Sequence, residues 1–291
     1  ENQMSSGIII RPIENYNDVL DCELIQQSAW NMSSPRDIIP AHIIHPISKH
    51  GGLLLGAYDG NRLVGFVFGF VGWQSEINPR WGDIRHYHCS EMMGVYPEYW
   101  SQSIGYELKL AQRAWLLNHG YKLAIWTFDP LLSRNAWLNF QKLGVICRTY
   151  IRDAYGEMSG LYAGLPTDRF EVEWWIDSKR THNQIENPVV RSVADWVADG
   201  AYLLPSEHIP HNHISNVAGE TMIVVEIPAD IQAVKVDNFE LAKQWRIYTR
   251  ELFESVFSQG YVAIGFTSDE AARKSYYLLS NKNDLKELQE N

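Results

Sequence analysis

Cysteine is scarce in this chain. Only Cys22, Cys89 and Cys147 occur in 291 residues, no two of them close together. Neither a disulfide framework nor a zinc ribbon fits an odd, scattered set, so a reducing compartment is expected. Positive charge is short as well: 25 Lys and Arg stand against 35 Asp and Glu, a formal net charge of -10. Such a chain gains nothing from counterion release and is repelled by anionic lipid, which argues against nucleic-acid and membrane partners. No apolar run approaches the roughly 20 residues of a membrane helix. The longest, Leu63 to Trp73, is broken by glycines. The N-terminus lacks a basic region followed by an apolar stretch, so no secretory leader is expected. Met4 reads as the natural start, and the expected location is the cytoplasm. A nucleophile elbow, a Walker loop and a dinucleotide fingerprint are also missing; the glycines from Gly65 to Gly72 precede no helix.

What is present is an ordinary globular balance, 45% hydrophobic and 21% charged, over a length that suits one large or two modest domains. Eleven Trp and fifteen Tyr fill either a bulky core or the walls of a ligand cleft. The pattern predicts strands at 8–13, 53–58, 62–71, 84–95, 123–128 and 145–150. It predicts helices at 15–31, 101–118 and 135–143. Residues 35–49 carry three prolines and read as loop or short turns. Asp59-Gly60-Asn61 between two β-rich runs marks a hairpin. This order makes an α/β domain with a mixed sheet, antiparallel early and parallel around the main helix. A second α/β region follows from 156 to 280, and a polar tail from 281 to 291 is expected to fray. With no long Gly/Ser linker between them, the two regions are expected to pack together. The stretches Glu91–Phe128 and Glu226–Phe266 echo each other: each reads strand, proline, helix, Gly-Tyr, strand. The echo reads either as a partial repeat of the first fold or as the common form of any strand–helix–strand unit.

Chemistry concentrates between Glu91 and Gly144. Residues 94–105 read Gly-Val-Tyr-Pro-Glu-Tyr-Trp-Ser-Gln-Ser-Ile-Gly. A strand runs through a proline turn and a loop of small residues into a helix, which leaves backbone N–H groups free to point at an anion. Ser101, Gln102, Ser103, Ile104, Gly105 and Tyr106 make that loop and the helix start. The run resembles the pyrophosphate loop of the GNAT acyltransferase superfamily, Val-x-Pro-x-x-Arg-Gly-x-Gly-x-Gly. Val95, Pro97, Tyr99, Ile104 and Gly105 match, while Trp100, Ser101 and Ser103 replace the Arg and two glycines. Arg134-Asn135-Ala136 and Phe140-Gln141-Lys142-Leu143-Gly144 are similar to the family's Asn-x-x-Ala…Leu-Tyr-Glu-Lys-Leu-Gly segment. The runs Trp126–Pro130 and Leu165–Phe170 resemble a branch of that superfamily whose members are thought to N-acylate amino acids.

The resemblance implies a GNAT-like twisted mixed sheet flanked by helices over residues 8–155. It implies acyl-CoA, acetyl or succinyl, as co-substrate, no metal, and a small-molecule amine as acceptor. It gives Met93, Gly94 and Val95 the task of pairing with pantetheine and polarising the thioester, and places Ser133 and Asn135 beside the cofactor. A base must also be within reach of the acyl carbon. Strand alternation puts Glu91 on one face with Cys89, Met93 and Val95, which makes it the first candidate, with His88 the second. Phe140 stands where the family commonly has a Tyr acid, leaving Tyr150, Tyr155 or solvent to protonate the thiolate. Asp168-Arg169 offers an Arg fork for a substrate carboxylate, or a plain ion pair. His208, His211 and His213 have spacing that permits a metal but reads better as a solvated loop.

Overall fold

The computed structural model describes residues 7–205, 217 and 219–282. The chain divides into two compact units inside its fifth strand. One holds the chain up to Trp126 together with Met158–Ala163. The other holds Thr127–Glu157 and the chain from Gly164 on.

The first unit contains β1 (Ile8–Pro12), α1 (Tyr16–Trp30), α2 (Ala41–Lys49), β2 (Leu53–Asp59), β3 (Arg62–Trp73), β4 (His86–Val95), α3 (Ile104–Asn118) and the start of β5 (Leu123–Phe128). The sheet runs β1-β2-β3-β4-β5, antiparallel as far as β4 and parallel between β4 and β5. This is the mixed α/β sheet expected from the sequence. The β2–β3 hairpin turns at Gly60, whose φ of 57° is the left-handed geometry a tight turn needs. Helices cover both faces. Val19, Cys22 and Ile25 of α1 and Ile44 of α2 pack on Phe66 and Phe68. Ile104 and Leu108 of α3 pack on Leu55, Val64 and Val67. That double cover is why β2 and β3 read as continuous apolar runs instead of alternating ones.

The 35–49 segment departs from expectation, because α2 is a nine-residue helix with Pro46 inside it. Proline costs a helix one amide bond, but Ala41 and Ile44 are buried in the core, and Glu23 of α1 accepts the Ala41 N–H at the helix start. Burial and a carboxylate at the N-terminus outweigh the missing bond.

The second unit contains α4 (Ser133–Ala136), a π-helical turn at Trp137–Lys142, β6 (Ile146–Ile151), β7 (Arg169–Trp175), α5 (Lys179–Glu186), α6 (Val193–Ala198), β8 (Tyr202–Leu203), β9 (Met222–Pro228), α7 (Ile231–Asp237), α8 (Phe239–Ser258), β10 (Val262–Asp269) and β11 (Lys274–Ser280). Its strands run β7-β6-β10-β11-β9-β8. The two echoing stretches share their helix ends. Both helices end alike: Gly120 and Gly260 take positive φ, and the N–H of Tyr121 or Tyr261 returns to the carbonyl of Leu116 or Val256. The strands differ, however. β4 pairs directly with β5, whereas β11 lies between β9 and β10.

Candidate active site

β4 and β5 pair at only two positions, His88 with Ala124 and Cys89 with Ile125. Beyond Cys89, the β5 side of β4 has no strand partner among the described residues.

The same point carries a β-bulge against β3. Phe70 pairs with Cys89 and Phe68 with Met92, so Ser90 and Glu91 together face the single residue Gly69. The bulge changes the strand's parity. His88 and Ser90 reach the α3 face, where they bond Gln112 and Lys109. Met93 and Val95 pack on that face with Ile104 and Leu108, while Met92 packs on the α1 side. The face expected to join Cys89, Glu91, Met93 and Val95 therefore does not exist, because simple alternation fails at an inserted residue. Gly69 holds this geometry: a Cβ there would lie 2.3 Å from His88 Nε2 and 2.4 Å from the Cys89 carbonyl oxygen. Gly69→Ala should destabilise the protein by about 1–3 kcal/mol through overpacking, measurable as a lower urea midpoint.

After Val95 the chain makes a 3-10 turn over Pro97–Gln102 and enters α3. Ser103 caps the helix at φ 57°. This is a left-handed position where the resembling pattern has glycine, and a small Ser occupies it. The first-turn amides of α3, Ile104 and Gly105, have no intrahelical acceptor and lie at the positive end of the helix dipole. Gly105 leaves open space, since a Cβ there would meet only the flexible Met93 Cε, at 3.4 Å. Trp100, standing where the pattern has Arg, donates its indole N–H to the Val95 carbonyl at 2.8 Å. That carbonyl is thus already engaged, unlike the free group the resemblance implies.

Glu91 reaches solvent, yet the packing around its carboxylate desolvates it and raises its pKa. His88 is fully buried, and desolvation, aided by the charge on Lys109, pushes its pKa down to about 3. The ring is neutral at pH 7 and holds protons weakly, which sets it apart from the base expected there. Its Nε2 lies 3.0 Å from Gln112 Nε2.

In the second unit, Tyr150 donates its hydroxyl to Asp168 Oδ2 at 2.7 Å. Burial and the neighbouring carboxylate raise its pKa, so the phenol keeps its proton but is committed to Asp168. Burial alone would raise the Asp168 pKa, but the Arg250 fork, the Asp153 amide and Tyr150 together lower it. Arg169 is also buried. Its Nη1 donates to the Asp168 carbonyl, and its guanidinium lies 5.2 Å from the Tyr155 ring centre. Asp168 and Arg169, expected as a fork for a substrate carboxylate, are both buried and bonded within the protein. Ser133 Oγ donates to the Pro228 carbonyl, Asn135 sits in the same helix start, and Phe140 is buried edge-on to Phe128 and Tyr277.

Sequence reasoning missed the polar cluster of Ser90, Lys109 and Gln112. The signal was present: Lys109 and Gln112 fall inside the buried stripe of α3, between Leu108 and Leu116. Among the described residues no cluster of His, Cys, Asp and Glu suits a metal, and no helix is long and apolar enough to cross a membrane. His208, His211 and His213, and the tail from 283, lie outside the described residues.

No curated protein matches the chain. Among solved structures it is similar to the ribosomal-protein-S18-alanine N-acetyltransferase of Escherichia coli, at 15% identity over 63% of this chain and 99% of that one, with a TM-score of 0.45. It is also similar to NAA60 of Arabidopsis thaliana solved with a bisubstrate analogue, at 16% identity, 58% and 99% coverage and a TM-score of 0.45. A third is a GNAT family acetyltransferase of Elizabethkingia anophelis with acetyl-CoA bound, at 16% identity, 59% and 99% coverage and a TM-score of 0.42. The sequence profile of the acetyltransferase (GNAT) family matches residues 16–145, the span that holds the opened strand, the bulge and the loop into α3. The acetyltransferase (GNAT) family is thus what residues 16–145, a little under half of the chain, are similar to in sequence.

Proposed function

We propose that the protein transfers an acyl group, acetyl or succinyl, from acyl-CoA to an amine of a small molecule such as an amino acid, by direct attack in a ternary complex. One observation carries the reading. Within some fifteen residues the chain joins a strand side open past Cys89, a bulge at Ser90–Glu91 and a helix N-terminus whose first amides are free. The thioester supplies the activated acyl carbon; the chain's residues do the rest. The loop and helix start from Ser101 to Tyr106 hold the pyrophosphate by backbone N–H groups. Met93 and Gly94 pair with the pantetheine arm along the open side of β4. Glu91 takes the amine proton. The acyltransferase domain is read as residues 8–155, with 156–280 as a separate α/β region.

Supporting the loop's role, the space at Gly105 is approached, outside its own helix, only by atoms of Met93. Gly105→Val should therefore fold normally and yet weaken CoA binding more than tenfold, at least about 1.4 kcal/mol, by calorimetric titration. Unchanged affinity would remove the loop from the reading. A mass-shift screen of acetyl-, succinyl- and longer acyl-CoAs against free amino acids tests the reaction itself. A second reading, acyl-CoA binding without catalysis, has Phe140 at the family's Tyr position in its favour. Tight CoA binding with no acylated product from any amine, small molecule or peptide, would decide for it.

A further inference from the structure

The donor that protonates the departing thiolate has no owner so far. Phe140 cannot donate a proton, and the Tyr150 hydroxyl is held by Asp168. The first unit contains an unused group in a telling place. Lys109 is 3% exposed and has no carboxylate within ion-pairing distance among the described residues. Its Nζ donates to Ser90 Oγ at 2.8 Å and to Gln112 Oε1 at 3.0 Å, and lies 3.7 Å from the centre of the Trp126 ring. Cys89 and Ile125 are the last residues that pair β4 with β5. Ser90 and Trp126 are the next residue on each strand. The ammonium of Lys109 therefore bridges the two strands at the point where they stop pairing, on the bulge itself.

We propose that Lys109 is the proton source for the leaving thiolate, delivering through the hydroxyl of Ser90. This rests on the acyl-CoA reading above. As the amine nitrogen forms its bond to the acyl carbon and the carbon–sulfur bond breaks, its electron pair stays on sulfur. Sulfur takes the Ser90 hydroxyl proton, which at rest is donated over a longer 3.2 Å to Gln112 Oε1 and must turn from it, and Ser90 Oγ takes one from Lys109 Nζ. Glu91 receives the surplus proton of the amine and releases it to water. Lys109 is recharged from water, so the net products are an amide and a free thiol. The groups facing Lys109 are Ser90 and His88 from β4, Gln112 from its own helix and Trp126 from β5. None of them carries a negative charge to pin the proton on the amine. Desolvation brings the Lys109 pKa down to about 7, close to where an acid for a thiolate works best at neutral pH. Ser90 would be the catalytic residue, touching sulfur, and Lys109 the group that acts through it.

The test is kcat against pH for wild type, Lys109→Arg and Ser90→Ala, with acyl-CoA affinity measured in parallel. Arg keeps the positive charge but cannot give up a proton near neutrality. The expected result is a fall in kcat of about a hundredfold in both variants, a Kd for acyl-CoA within twofold of wild type, and loss of the basic limb that wild type shows above pH 7. Wild-type rate with an unchanged basic limb in Lys109→Arg overturns the proposal. A wild type that turns over no acyl-CoA with any amine defeats the acyltransfer reading instead, and this proposal with it. Since a buried Arg can disturb folding, a second measurement uses the unmodified protein: the Lys109 Cε resonance should titrate with a midpoint near 7. A midpoint above 9 overturns the proposal.

Discussion

Glu173→Ala is expected to destabilise the protein by about 3–5 kcal/mol, read as a large fall in the urea midpoint. Arg148 Nε and Nη2 meet Glu173 Oε1 and Oε2 at 2.8 and 2.9 Å, with both side chains buried. Trp175 Nε1 adds a third bond to the same carboxylate at 3.0 Å. The pair exists because β6 bulges: Cys147 pairs with Val172 and Thr149 with Glu171, leaving Arg148 as the extra residue that the bulge turns towards Glu173. Removing the carboxylate takes the anion from a buried ion pair and leaves an indole N–H away from water, and breaking such a pair costs far more than the intact pair contributes. The double variant Arg148→Met, Glu173→Leu removes the charge along with its partner, so it should recover most of the loss, leaving mainly the cost of the unpaired Trp175 N–H. Equal destabilisation by the single and double variants would show that packing, not charge, holds this corner.

What could be read from the sequence followed how local each cause is. The β2–β3 hairpin is encoded by Asp59-Gly60-Asn61 and two flanking apolar runs, and it forms where expected. β5 begins and ends at the expected residues, because a short apolar run after the Gly120 cap leaves little choice. The loop from Val95 into α3 was also legible, since Pro97 and a cluster of small residues punctuate it. The bulge was not. Its register depends on Gly69, a glycine on the neighbouring strand with nothing in its own run to mark it. Misreading that one residue moved Glu91, Met93 and Val95 onto a common face and hid that Ser90 faces α3. The Asp168 hub was equally invisible, because its main partner, Arg250, lies 82 residues away on α8. Arg246, also on α8, pairs with Asp129 across 117 residues. Such pairs look like surface charge until the fold buries them.

Glu91→Gln should lower kcat by about 10²–10⁴-fold while leaving acyl-CoA affinity nearly intact. Gln keeps the shape and the hydrogen-bonding reach of the side chain and removes only its basicity. The contacts proposed for the cofactor are made by backbone groups of β4 and of the loop into α3, so they survive the change. Glu91 sits in the bulge next to Ser90, beside the last paired residues of β4 and β5, where backbone and side chains turn away from the regular ladder. Desolvation raises its carboxyl pKa. A raised pKa makes the carboxylate a better proton acceptor, but only while it is ionised. Wild-type activity should therefore fall as pH drops through this raised value, higher than an ordinary glutamate would give, and Glu91→Gln should flatten that acidic limb. The basic limb assigned to Lys109 should remain in Glu91→Gln, because the two groups titrate independently from opposite sides of the profile. Full activity with an unchanged acidic limb in Glu91→Gln would mean that the amine reaches the site already deprotonated, and that this strand contributes position alone.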